Sequence, residues 1–287
     1  MKAILQNIYI LALFCSFSLI SQINHPKASP FAQVAQEIGL SKVSITYSRP
    51  SARGRKVIGG LVPYGRIWRV GANESTKISL DTDFMIHGHA LSKGVYAVYA
   101  FPEEKEWQIV FHTNVSHWGD GRKNYNPEED AFRIKVKPEK IPFHQENFLI
   151  AFDSITHNSA NLNLLWENTK LTIPMYVDTD SQMELEIQRQ LNENPTAQTY
   201  YEAARYLQEQ EKDFEKALGY LNKALEIGGD TYYFHRVKSL VQAELRDFNA
   251  AISSAKKSLK IASELEKDEF VRMNEINIKR WQSLLEK

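Results

Sequence analysis

The period of the hydrophobic pattern changes once along the chain, and this change constrains the fold more than any other feature. Up to about residue 178 apolar residues tend to recur at every second position; from about Met183 they recur every three or four. In "KVSITYS" (42–48), Val43, Ile45 and Tyr47 alternate with Ser44 and Thr46. "TKISL", "GVYAVYAF", "EWQIVFH", "AFRIKVK", "NFLIAFDSI", "ANLNLLWE" and "TKLTIPMYV" follow, each five to nine residues long and rich in β-branched and aromatic types. Period two turns one face of a strand inward. Turn residues at "HGH" (87–89), "SKG" (92–94) and "FPEEKE" (101–106) separate several of these runs. Eight or nine short strands without intervening helical pattern predict an all-β antiparallel sandwich or barrel over residues 26–178. "PFAQVAQEIG" (30–39) fits either a short amphipathic helix or an edge strand.

Residues 183–287 are rich in Ala, Leu, Glu and Lys and predict an all-α domain. An internal repeat runs through it. "DFEKALGYLNKALEI" (213–227) aligns with "DFNAAISSAKKSLKI" (247–261) at an offset of 34 residues. Asp213 matches Asp247, Phe214 matches Phe248, Ala217 matches Ala251, and Leu225 matches Leu259. This period and spacing resemble the tetratricopeptide repeat, a helix pair that packs only on its neighbours. The first helix of repeat one, with Tyr200, Ala203, Ala204 and Leu207, fits if one residue is inserted before Lys212. Departures are Gly229 and Ser263 where proline is usual, and His235 where tryptophan is common. "FVRMNEINIKRWQSLL" (270–285) reads as a capping helix. The resemblance implies a surface for a peptide or protein partner; the plainer reading is that two repeats only support the β domain.

The first residues stand apart from both domains. "MKAILQNIYILALFCSFSLISQ" has Lys2, an apolar run from Ile8 to Ile20, and then small and polar residues. This is the layout of a secretory signal peptide (1–21), and the run is short for a spanning helix. Cleavage near Ser21 removes Cys15, the only cysteine, and leaves no disulfide, no thiolate ligand and no membrane span. The expectation is an exported protein, periplasmic, on the cell surface or secreted. Charge is balanced overall, with 18 basic against 16 acidic residues over 22–178 and 16 against 19 over 179–287. That excludes bulk attraction to nucleic acid.

Chemistry concentrates in residues 47–76. Arg49, Arg53, Arg55, Arg66 and Arg69 are interleaved with Tyr47, Tyr64 and Trp68. A guanidinium offers a planar fork to carboxylate or phosphate and stacks on aromatic rings. One reading is a site for an anionic small molecule or glycan. The other is a structural clamp, with Pro50, Pro63 and four glycines shaping turns and Glu74 neutralising Arg66 or Arg69. The runs Tyr47-Ser48-Arg49-Pro50, Gly54-Arg55, Gly59-Gly60-Leu61-Val62-Pro63-Tyr64-Gly65, Trp68-Arg69 and Gly71-Ala72-Asn73-Glu74 are similar to the domain of unknown function 2911 family. "LSKGVYAVYAFPEEKEWQIVF" and Trp118-Gly119, Tyr125 and Asp130 extend the resemblance over roughly 28–178. The resemblance implies an exported protein of a Bacteroidetes-type bacterium, often with helical repeats behind the domain, and no established activity. Candidate ligand-binding residues are Arg49, Arg55, Tyr64, Trp68, Arg69, Glu74, Trp118 and Tyr125.

Between Thr113 and Asp130 lies a long stretch without strand or helix signal, a length that often carries function. His112 and His117 bracket its start, and His87 and His89 flank Gly88. With Asp120 these are metal-ligating types. Their spacing matches no metal motif, and two histidines five apart at a strand end do not share a face. The family resemblance implies amides at the positions of His112 and His117. The reading is therefore no metal and no cofactor. No Gly-x-Ser-x-Gly elbow is present. Non-catalytic binding or scaffolding is the leading function. A hydrolase of glycan or ester, using acids of the 113–130 loop near Arg49 and Arg69, is the alternative.

Overall fold

A computed structural model describes residues 25–119 and 122–286. The leader segment with Cys15, and Asp120, lie outside these described residues. The chain divides into two compact units, Met1–Val177 and Asp178–Lys287.

The strands of the first unit are β1 (Phe31–Ile38), β2 (Ser41–Ser48), β3 (Thr76–Leu80), β4 (Phe84–Ile86), β5 (His89–Leu91), β6 (Gly94–Phe101), β7 (Trp107–His112), β8 (Asp130–Val136), β9 (Glu139–Asp153) and β10 (Ser159–Tyr176). They form a six-stranded sheet, β1-β2-β3-β6-β7-β8, and a four-stranded sheet, β5-β4-β10-β9. Every strand pair is antiparallel. The architecture is a sandwich rather than a barrel. Ile45, Ile78, Trp107 and Ile109 of the first sheet meet Phe84, Ile86, Phe148, Ile150 and Ile173 of the second in one core.

The segment 30–39 is the edge strand of its two readings. β1 pairs with β2 from Phe31↔Ser48 to Ile38↔Ser41, and its inward residues Ala32 and Val34 pack on the core. "ANLNLLWE" and "TKLTIPMYV" are one strand, β10, with register shifts against β9 on either side of Glu167, whose φ is 54. The turn "HGH" joins two strands of only three residues, β4 and β5. His87 and Gly88, with φ of 49 and 83, make the two-residue turn that a tight hairpin favours.

β6 and β7 bury both faces. Val98, Ala100, Ile109 and Phe111 point into the sandwich. Ala97, Tyr99 and Val110 point outward and are covered by Ile67, Val115 and Tyr125. Two loops, 49–75 and 113–129, therefore roof the outer face of the six-stranded sheet.

The second unit holds α1 (Thr179–Glu193), α2 (Ala197–Glu209), α3 (Phe214–Gly228), α4 (Tyr232–Glu244), α5 (Phe248–Glu264) and α6 (Asp268–Leu285). From α2 onward each helix packs on the next. The two repeats are visible in the caps. Asp213 accepts a hydrogen bond from the Lys216 N–H at the start of α3, and Asp247 accepts one from Ala250 at the start of α5. Such caps satisfy N–H groups that the helix cannot. Ala217 and Ala251 are fully buried, as close helix approach requires. The connection 210–213 is one residue longer than its counterpart 245–247. There Glu211 and Asp213 adopt positive φ, whereas only Arg246 does so in the shorter turn. No helix among the described residues is long and apolar enough to cross a membrane.

Candidate functional site

The loop 49–75 is held by residues of the second sheet. Pro50 and Phe148 share a backbone hydrogen bond, and Ala52 N donates to Glu146 O. The Glu167 carboxylate accepts from Val57 N at 2.9 Å and Ile58 N at 3.3 Å. Arg49 Nε donates to Phe148 O at 2.9 Å, and Arg55 donates to the carbonyls of Ala52 and Ser51. Gly59 and Gly60 shape the turn that follows. A Cβ on Gly60 would fall 2.4 Å from the Lys56 carbonyl oxygen, and one on Gly59 would fall 2.6 Å from the Tyr64 ring. Tyr64 therefore packs on the turn.

Trp68 enters the sandwich. Its backbone exchanges two hydrogen bonds of 2.8 Å with Ala100, and its Nε1 donates to Gly71 O. The indole stacks on Trp166 and meets Phe148 and Trp107 edge-on. Just after it, buried Val70 sits at φ 51. For a β-branched residue this left-handed backbone is strained by about 1–3 kcal/mol, and such strain concentrates near functional sites. Arg69 Nη1 donates to Asn73 O at 2.6 Å, and Asn73 itself ties to Ser29 and Ser48.

These residues wall a cleft of about 430 Å³. Arg55, Arg66, Arg69 and Arg122 line it with Asn73, Trp118, Trp68 and Trp166. None of the described residues lining it is acidic. Trp118 is 74 % exposed, an unusual position for an indole, and is fixed by a backbone bridge to Glu74. An open indole face beside guanidinium groups offers stacking and charge together.

A second cluster lies on the outer face of β7 and β8. A β-bulge after Phe111 sets His112 opposite Asp130, skipping Ala131. His112 Nδ1 stands 2.9 Å from Asp130 Oδ1, and Asp130 also accepts from Tyr125 OH and Arg133 Nε. Arg133 Nη2 donates to the Tyr125 oxygen at 2.7 Å and its guanidinium lies over the Phe101 ring. Burial, and then the Asp130 carboxylate, push the Tyr125 phenol far above its ordinary range, so it stays a donor. Burial also raises Tyr99, against a smaller opposing pull from Ser75 and Arg69. His117 is buried and packs beside His112, with ring centroids 5.4 Å apart. The expectation that these histidines stay on separate faces is thus corrected. The chain leaves the strand after His112, and the loop folds His117 back over it.

Residues 29–175 match the model of a family described as protein of unknown function (DUF2911). The chain belongs to that family. No curated protein and no solved structure matches it. Within the DUF2911 domain the candidate residues divide. Arg55, Trp68, Arg69 and Trp118 meet at the cleft. Arg49 and Tyr64 do not line it and hold the loop instead. Tyr125 belongs to the histidine cluster. Glu74 pairs with Lys77 at 2.7 Å, not with Arg66 or Arg69, because the two lie three apart at the start of β3. Arg122 and Trp166 are cleft residues that pattern reading passes over, one in an aperiodic loop and the other inside a strand. Glu128, Glu129 and Asp130 of the DUF2911 domain are not among the described residues that line the cleft, and Asp120 lies outside the described residues.

Proposed function

We propose that the DUF2911 domain binds an anionic ligand, a carboxylate- or phosphate-bearing small molecule or glycan, and does so without catalysis. The observation that carries this reading is the meeting of four arginines and an exposed indole around one cleft with no acid among its described lining residues. Guanidinium forks hold the anion, and Trp118 supplies a flat face for a sugar ring or other apolar side of the ligand. The apolar leader supports placing this binding outside the cytoplasm, in the periplasm or at the cell surface. The 34-residue offset and paired aspartate caps support reading the helical unit as tetratricopeptide-like, with a peptide or protein as its partner.

A melting screen with uronic acids, sugar phosphates, nucleotides and envelope fragments tests the ligand. A binder present at 100 times its Kd adds about 2.7 kcal/mol of stability. The Arg69→Ala variant loses that gain. A gain that survives the substitution removes the cleft as the site.

A further inference from the structure

The histidine cluster contains an unmet demand. His112 is fully buried, and its Nε2 has no hydrogen-bond partner. The nearest acceptor is Glu129 Oε2 at 3.3 Å, near enough for an ion pair but without hydrogen-bond alignment. On the other side of the ring, Nδ1 faces the Asp130 carboxylate at 2.9 Å. With Nδ1 engaged by Asp130, Nε2 is the ring atom left for a further ligand, and the Glu129 carboxylate stands across a short gap from it. A metal ion bound between Nε2 and that carboxylate gives both a partner. His117 brings a third donor. Its ligand atom and those of His112 and Glu129 all lie within 4.8 Å of one another.

We propose that His112, His117 and Glu129 bind a divalent transition ion of the zinc class. The donor set decides the class: two imidazole nitrogens and one carboxylate suit zinc, whereas magnesium and calcium take oxygen donors. Donors about 2.0–2.1 Å from a tetrahedral ion stand roughly 3.3–3.5 Å apart, so the three groups need only a small inward movement. The surroundings are those of a metal-binding histidine. Asp130 orients His112 through Nδ1, and Tyr125 and Arg133 in turn orient Asp130. The rings of Tyr99 and Tyr125 pack against the His112 imidazole. The ion ties the loop 113–129 to β7 at the point where the chain departs from the sheet.

The test uses the full chain, stripped with a chelator and titrated with Zn(II) by calorimetry and by competition with a chromophoric chelator. One equivalent binds, and Mg(II) does not compete. His117→Gln and Glu129→Gln each weaken Zn(II) binding by tenfold or more. Asp130→Asn weakens it by about 10–100-fold through its hold on His112. The variant carrying both His87→Gln and His89→Gln keeps full affinity. Co(II) gives a second readout that depends on no substitution: the intense visible bands of a four- or five-coordinate nitrogen–oxygen site, in place of the weak spectrum of the hydrated ion. Absence of Zn(II) uptake overturns the proposal, as does uptake undiminished in a His117→Gln/Glu129→Gln double variant or a Co(II) spectrum of the hydrated ion.

Discussion

Trp68 stacks on Trp166, with ring centroids 5.9 Å and planes 23° apart. An indole from an irregular loop thus closes the core over an indole from β10. The same two rings form part of the cleft wall. Core and candidate site share a surface, and this decides which substitutions separate stability from binding.

Trp68→Ala removes a ring that touches Trp107, Phe148 and Trp166 and leaves a cavity between the sheets. The expected cost is about 3–5 kcal/mol. Urea unfolding followed by tryptophan fluorescence measures it, and a loss below about 1 kcal/mol contradicts the wedge role.

Arg66→Ala should behave in the opposite way. The side chain is exposed and lines the cleft. Stability changes by no more than about 0.5 kcal/mol, while affinity for an anionic cleft ligand falls about tenfold. Binding of that ligand to the wild-type chain also weakens as salt rises, because the guanidinium field is screened. Isothermal titration at two salt concentrations reads both effects.

Gly60→Ala drives a methyl group to 2.4 Å from the Lys56 carbonyl oxygen, which is backbone and cannot swing aside. A loss of about 1–3 kcal/mol is expected. It appears as a lower urea midpoint with an unchanged slope.

His235 makes the helical unit acid-sensitive. Burial holds its imidazole below the ordinary value of 6.5, and Asp230 only partly opposes this. The folded unit therefore binds fewer protons than the unfolded chain as pH falls through that range. Its contribution to stability is complete above the unfolded value and is lost below it. Melting of helical circular dichroism from about pH 8 to about pH 5 should show this loss. His235→Gln should flatten the profile; an unchanged slope would falsify the assignment.

The sandwich was readable where alternation ran unbroken. "KVSITYS" and "TKISL" pair in register with their side chains on the expected faces. β4 and β5 escaped because three residues carry no period. Glu167 interrupts β10 with a left-handed residue, so one strand read as two. The repeat was legible through Ala217 and Ala251, whose size only close packing explains. The cleft was half legible. Arg55, Trp68 and Arg69 sit in a dense local motif, but Arg122 reaches it from a distant loop. The meeting of His112 with Asp130 depends on a bulge, and no residue pattern announces a bulge.

The anchors of the loop 49–75 also order events in time. Arg49 reaches Phe148, 99 residues on, and Val57 reaches Glu167, 110 residues on. β4 finds its partner at Met175. A growing chain thus carries its arginine-rich loop without those partners until almost the whole domain has emerged. Contacts so distant are made slowly. The β1–β2 hairpin is local in sequence, whereas the cleft is complete only once β10, which carries Trp166, is in place.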